Sequence, residues 1–216
     1  MQTKFLRFLL ILLLPVYIVQ CSVDKTTGLT REAYFQKLNK ERADKNSEMA
    51  ADSLSPLTAA DRTDFKGLNY YPAKPVYRVV ARFERDSAQL TFKMKTTTAR
   101  LPEYRVYGKA FFKLNGKKLT LNVYQNVALS QKAGFEDYLF IPFNDLTNDA
   151  GTYAGGRFLD ARIPVGNTMT IDFNEAYNPY CAYNHKYSCP IPPPENFIEV
   201  KIKAGEKDWH IREDHN

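Results

Sequence analysis

The spacing of hydrophobic positions changes along the chain, and each spacing predicts a different kind of element. A continuous apolar run extends from Phe8 to Val19 and follows Lys4 and Arg7. Apolar side chains then recur at helical intervals among many charges over Thr30 to Asn46, which predicts an amphipathic helix. From Tyr70 onward apolar and polar residues alternate, as they do in half-buried strands.

The alternating part of the chain predicts a mainly β domain. Asn115-Gly116 is the clearest hairpin signal, because a type I′ turn needs residues that tolerate positive φ. Thr58 is placed to cap a short second helix. Since no βαβ pattern is visible, we predict an antiparallel sandwich or a partly open barrel of about seven strands, preceded by one or two short helices. The predicted strands are Val76–Phe83, Gln89–Met94, Tyr104–Leu114, Lys118–Gln125, Tyr138–Phe143, Met169–Phe173 and Phe197–Lys203.

The apolar run near the start predicts a secretory signal peptide over residues 1–20. It is shorter than the about 20 apolar residues that a membrane-spanning helix needs, and it contains Pro15. Its end resembles the lipobox of bacterial lipoproteins, which implies cleavage before Cys21 and acylation of that residue. Gln20 departs from the small residue usual before the cysteine, so an ordinary cleaved signal and an uncleaved anchor remain alternatives.

This N-terminus sets the expected organisation and location of the protein. We expect residues 21–50 to be a lipid-anchored tether and helix, 51–208 a single mainly β domain, and 209–216 a polar tail. The expected location is the cell envelope, with the membrane as a partner through the anchor. The 30 Lys and Arg against 24 Asp and Glu are spread without a dense basic block, which argues against nucleic-acid binding. No cofactor motif is present, and we expect no cofactor.

The segment from Asp172 to Asn196 combines prolines, polar side chains and two cysteines without a regular hydrophobic period. If Cys21 carries lipid, Cys181 and Cys189 remain as an even pair in an oxidising compartment, which predicts a disulfide. A metal site that also uses His185 is an alternative, as are two free thiols packed as small apolar groups.

The second unusual segment, residues 151–160, contains three glycines and Arg157. Backbone N–H groups freed by glycine can form an anion-binding nest, with the guanidinium alongside. In the alternative interpretation the glycines serve a turn or bulge, and Arg157 pairs with Asp145, Asp160 or Asp172. The sequence leaves both open.

Two further patterns are compatible with a binding or catalytic site. The tyrosines Tyr177, Tyr180, Tyr183 and Tyr187 are spaced to form an aromatic wall for a sugar or peptide, although such residues more often pack over strands. A hydrolase that acts on an envelope glycan or polymer would need two carboxylates in different environments. Its candidate carboxylates are Asp160, Asp172, Glu175 and Glu195.

Several segments together resemble the bacterial family known as domain of unknown function 1684. They include Phe65-Lys-Gly-Leu-Asn-Tyr-Tyr-Pro72, Thr152-Tyr-Ala-Gly-Gly-Arg-Phe-Leu-Asp160, Asp172-Phe-Asn-Glu-Ala-Tyr-Asn-Pro179 and Ala204-Gly-Glu-Lys207. The resemblance covers roughly Ser55 to Lys207 and implies an exported or envelope globular domain without an assigned reaction.

The resulting functional prediction is a membrane-tethered envelope domain that binds a small polar or anionic ligand. Arg157 would supply the charge, and Tyr153, Asn174 and Asn178 would supply hydrogen bonds. The alternatives are the carboxylate-dependent hydrolase and a structural or interaction lipoprotein. The full set of predicted ligand-binding residues is Tyr153, Arg157, Asp160, Asp172, Asn174, Tyr177, Asn178, Glu195 and Asn196.

Overall fold

The computed structural model describes residues 29–51 and 55–209, in which two helices precede the strands of a single sheet. The predicted signal peptide, Cys21 and most of the polar tail lie outside the described residues. No helix within the described residues has the length and apolar character needed to cross a bilayer. The elements are α1 (Arg31–Ala50), α2 (Ala59–Thr63), β1 (Arg78–Arg85), β2 (Thr91–Lys93), β3 (Glu103–Leu114), β4 (Lys117–Asn126), β5 (Tyr138–Asp145), β6 (Arg157–Arg162), β7 (Thr168–Asp172) and β8 (Phe197–Ile198).

The strands form one sheet of eight strands that curls into a half-barrel. Its main path runs β6-β5-β4-β3-β1-β7 with antiparallel neighbours; β2 pairs with β3, and the short β8 runs parallel to β5. The two ends of the path, β6 and β7, approach each other without pairing along the path. The predicted fold class, mainly β with an antiparallel, partly open barrel behind one or two short helices, is confirmed.

Local signals account for several element boundaries. The side chain of Thr30 accepts the N–H of Ala33 at 3.1 Å and begins α1. Thr58 caps α2 in the same way, as predicted. Asn115 and Gly116 both have positive φ, 50° and 79°, and join β3 to β4 in the hairpin that their sequence predicts.

The central strands bury side chains on both faces of the sheet. Alternate residues such as Leu139, Ile141 and Leu159 belong to the main core inside the curl. Their strand neighbours Phe140 and Phe158 belong to a separate aromatic cluster. Because successive side chains of a strand point to opposite faces, this second cluster lies on the other side of the sheet.

Helix α1 is attached to the sheet mainly through polar contacts, since only Tyr34, Leu38 and Met49 of its residues are buried. The hydroxyl of Tyr34 donates to Asp172 at 2.7 Å. Arg42 donates to the carbonyl oxygens of Tyr71 and Asn174. These contacts attach the helix to the end of β7 and to the segments that follow β7 and precede β1.

The strand prediction missed one strand and made another too long. Strand β6 was not predicted, because its segment has the glycines and charges of a loop. The predicted strand Phe197–Lys203 is paired only over Phe197–Ile198. Beyond it, at Ile202, the backbone bonds to side chains: the carbonyl accepts from Arg157, and the N–H donates to Asp145.

Candidate functional site

A groove of about 600 Å³ lies on the second face of the sheet, between the C-terminal half of α1 and the segment that follows Tyr177. Phe140 and Phe158 come from β5 and β6, where Phe140 stands opposite Asp160 in the strand register. The groove is therefore built by strands, a helix and a loop that are far apart in the sequence. Its aromatic lining consists of Tyr104, Tyr138, Phe140, Phe158, Tyr177, Tyr180 and Tyr187.

Asp160 lies in the wall of this groove and is held by two tyrosines. The hydroxyl of Tyr138 donates to its Oδ1 at 2.7 Å, and the hydroxyl of Tyr177 donates to the same atom at 2.6 Å. Burial, and then the Asp160 charge, raises the pKa of both tyrosines, so both hydroxyls stay protonated as donors. The carboxylate is thereby fixed in orientation, and no Lys or Arg of the described residues pairs with it.

Helix α1 supplies the charges on the opposite wall. Glu41, Asp44, Lys45 and Glu48 all line the groove. The Nζ of Lys45 is 3.0 Å from the buried carboxylate of Glu206 and lies 4.9 Å from the centroid of the Tyr177 ring. The positive charge of Lys45 is thus already paired, and the groove as a whole is acidic.

Two smaller cavities adjoin the groove and share Asp160 with it. One of about 210 Å³ lies under Arg42 and Lys45 of α1. The other, of about 190 Å³, is lined by Asp160, Asp172 and Glu175. Burial, followed by the nearby Asp172 charge, raises the pKa of Glu175. Asp160 therefore stands where three cavities meet.

Arg157, which was predicted to bind an anion, has a structural role instead. Its side chain is fully buried, and its Nη2 lies 2.8 Å from the carboxylate of Asp145. Nη2 also donates to the carbonyl oxygen of Ile202, and Nη1 donates to those of Ala204 and Glu206. Gly156 directs it inward, with φ of 90° and no room for a Cβ beside the carbonyl of Phe143. The alternative pairing with Asp145 is the one observed.

The predicted polar residues of the second segment are also mostly structural. The side chain of Asn174 accepts from the N–H of Lys74 and donates to its carbonyl oxygen. Asp172 forms a salt bridge with Arg78, with 3.2 Å between Oδ2 and Nε. Asn196 forms hydrogen bonds with the backbones of Asn122 and Pro142 and so connects β4 to β5 where the two strands diverge. These three residues are buried and bonded within the protein, and none of them lines the groove, although Asn174 and Asp172 each border one of the smaller cavities.

A buried network around Glu206 was missed by the sequence prediction. Glu206 is 1% exposed and accepts from Lys45, from the hydroxyl of Tyr183, and from both the N–H and the side-chain amide of Asn178. Burial raises the pKa of the Glu206 carboxyl, while Lys45 opposes that shift. Asn178 and Tyr183 thus serve this network and do not line the groove. The only sequence signal was a lone acidic residue in the Ala204-Gly-Glu-Lys207 motif.

Cys181 and Cys189 are free thiols in the structure, in place of the predicted disulfide. They are neighbours all the same: the N–H of Cys181 donates to the Sγ of Cys189 at 3.1 Å. The thiol–thiol hydrogen bond lowers the pKa of Cys181 to about 7 and raises that of Cys189. The hydroxyl of Tyr153 lies 3.8 Å from the Sγ of Cys181, so this predicted ligand residue contacts the thiol pair.

The remaining predictions divide between the groove and the surface. His185 is exposed, and within the described residues no cluster of three His, Cys, Asp or Glu suits a metal ion. Glu195 is exposed beside β8 and is not part of the groove lining. Asp160 and Tyr177 are the predicted ligand residues that do line it, and the predicted tyrosine wall is present without Tyr183.

Comparison with known proteins places this architecture among uncharacterised relatives. The family described as "Protein of unknown function (DUF1684)" matches residues 63–207. A solution NMR structure of the uncharacterized protein from gene locus rrnAC0354 of Haloarcula marismortui is 31% identical, with a TM-score of 0.65. The similarity covers 84% of this chain and 97% of that one. No curated protein matches the chain.

Proposed function

The chain belongs to the DUF1684 family of proteins of unknown function, and we propose that it is a binding domain whose groove takes a small molecule with an apolar body. The groove itself carries the proposal. Its volume of about 600 Å³ falls in the range of ordinary small-molecule sites. Seven aromatic side chains line it without filling it, where a purely structural interface would be close-packed.

The contacts of the carboxylates favour binding over hydrolysis. A hydrolase needs two carboxyl groups that are free to act as acid and as base or nucleophile. Asp172 is engaged by Arg78 and Tyr34, and Asp160 is fixed by two tyrosine hydroxyls. Glu175 borders only the smaller cavities. A fixed carboxylate beside aromatic rings is suited to orienting a ligand.

Filling the groove is expected to abolish binding. Leu129 lines the groove from the turn after β4, so Leu129→Trp places a large ring inside it. We expect compounds that stabilise the parent to lose their effect on this variant. A ligand at ten times its Kd contributes about 1.4 kcal/mol, which corresponds to a rise in Tm of roughly 3–6 °C. The measurement is thermal unfolding with a panel of aromatic amines, alcohols and acids and of disaccharides.

The matched control for this experiment is Val165→Trp, which adds the same ring at a fully exposed position outside the groove. It should respond to every binder as the parent does. Equal stabilisation of Leu129→Trp and the parent would show that binding occurs elsewhere. A panel without any binder to the parent would also contradict the proposed function.

We further propose that the domain is held at a membrane through a lipid on Cys21. The support is the apolar run that ends at this cysteine, together with a resemblance to a lipobox. A doubly acylated residue anchors a protein stably because each buried methylene contributes about 0.8 kcal/mol. The groove would then face the compartment outside the cytoplasmic membrane.

Replacing Cys21 by alanine is expected to abolish lipidation, so this variant should lack the added mass of the parent. Intact-mass spectrometry of the membrane-bound parent should show a mass above that of the cleaved polypeptide, located on residue 21. Cys181→Ala is the matched control because that thiol is buried in the fold, and this variant should stay with the membrane. An unmodified Cys21 in the parent would refute the anchor.

A further inference from the structure

We propose that the groove is selective for organic cations, that is, for a primary or quaternary ammonium group attached to an apolar body. The inference rests on the proposed function, because it names the ligand class of the same groove. Three observations support it: the state of Asp160, the charge balance of the lining, and the aromatic faces that surround both. None of them uses the buried Arg157, which was the basis for expecting an anion.

Asp160 is a negative charge without a positive partner. Its Oδ1 accepts both tyrosine hydroxyls, whereas no described residue donates to its Oδ2. Neutral donors fix the carboxylate without cancelling its charge. An ammonium group that enters the groove therefore meets a preoriented acceptor and gains a charge-assisted hydrogen bond.

The other charges of the lining add to the negative potential. Glu41 and Asp44 are paired along α1 with lysines at 2.7 and 2.6 Å, and Lys45 is paired with Glu206. Glu48 has no ion-pair partner in the part of the chain that the structure describes. Two carboxylates, Asp160 and Glu48, thus remain uncompensated, which favours a cation and disfavours an anion.

The aromatic rings suit the same ligand. Ammonium groups are attracted to the faces of tyrosine and phenylalanine rings within about 6 Å of the centroid. The Tyr177 ring already makes such a contact within the protein, since the Nζ of Lys45 lies 4.9 Å from its centroid. The other rings of the groove offer similar surfaces to the ammonium and to the apolar part of a ligand. A sugar would use the same rings but would gain nothing from the unpaired charge.

Three probes with one body and different head groups test this selectivity: 4-phenylbutylamine, 4-phenylbutanol and 5-phenylpentanoate. We expect isothermal titration at low ionic strength to show the amine binding the parent at least about tenfold more tightly than the alcohol. The carboxylate should show no measurable binding. Asp160→Asn should weaken the amine about tenfold and leave the alcohol unchanged. Asp149→Asn removes the same charge at an exposed turn outside the groove and should change neither.

The outcomes separate charge selectivity from the existence of the site. If amine and alcohol bind the parent equally and both are lost in Leu129→Trp, the groove binds ligands but the cation selectivity is wrong. The same conclusion follows if Asp160→Asn leaves the amine unaffected, or if cellobiose binds and the amine does not. If no probe binds the parent, both the selectivity and the proposed function are contradicted.

Discussion

Replacing Arg157 with methionine is expected to lower the free energy of unfolding by about 3–5 kcal/mol, because it leaves the buried carboxylate of Asp145 without its counter-charge. Both side chains of this pair are 0% exposed. The variant also leaves the carbonyl oxygens of Ile202 and Ala204 without their donor. Both residues lie beyond β8, so no strand pairing replaces these hydrogen bonds. A domain stabilised by about 5–15 kcal/mol loses a large part of its margin in this way. Urea unfolding followed by circular dichroism measures the loss.

Two further variants make this prediction specific. Arg162 lies on the same strand and pairs with Asp137 at 2.7 Å, but its side chain is 55% exposed. Arg162→Met should therefore cost less than about 1 kcal/mol. Arg157→Lys keeps the positive charge but lacks the planar guanidinium that donates to four acceptors. The stability of this variant should therefore lie between those of the parent and Arg157→Met. Similar losses for Arg157→Met and Arg162→Met would contradict the structural role of Arg157.

The sequence predicted the elements whose signals are local. The Thr30 and Thr58 caps and the Asn115-Gly116 turn each depend on a few adjacent residues, and all three are observed. Strand β6 was missed because Arg157 and Asp160 make its six residues look like a loop. Their charges are tolerated in a strand only because Asp145 meets one of them and tyrosine hydroxyls meet the other. Such partners are visible only after the chain has folded.

The candidate site was predicted in part for the same reason. Tyr177, Tyr180 and Tyr187 follow one another in the chain, so their spacing revealed a wall of the groove. The opposite walls required the strand register that places Phe140 beside Asp160, and the docking of α1 from more than a hundred residues away. The sequence does carry one signal for these walls: Leu139-Phe140-Ile141 is apolar without alternation, which is typical of a strand buried on both faces. It indicated that something covers the second face of the sheet.

Replacing Glu206 with alanine is expected to destabilise the fold by a similar amount, about 3–5 kcal/mol, and to loosen the attachment of α1. The variant leaves Lys45 without its ion-pair partner and leaves buried donors of Asn178 and Tyr183 unsatisfied. Trp209, the single tryptophan of the chain, packs against Tyr183 and reports on this region. We expect its fluorescence to shift to longer wavelength and unfolding to occur at lower urea concentration. Glu199→Ala, at an exposed position of the same C-terminal segment, should leave both unchanged.

The pH dependence of stability gives a second readout for the same residue, with Glu206→Gln as the non-titrating comparison. Burial raises the pKa of Glu206 above its ordinary value of 4.5, so the folded protein binds this proton more tightly than the unfolded chain does. The resulting stabilisation is complete below pH 4.5 and is lost as the pH rises through the raised pKa. The unfolding free energy of the parent minus that of Glu206→Gln should therefore fall with increasing pH. A difference that grows over this range would contradict this prediction. It would mean that the hydrogen bonds from Lys45 and Asn178 lower the pKa of Glu206 by more than burial raises it.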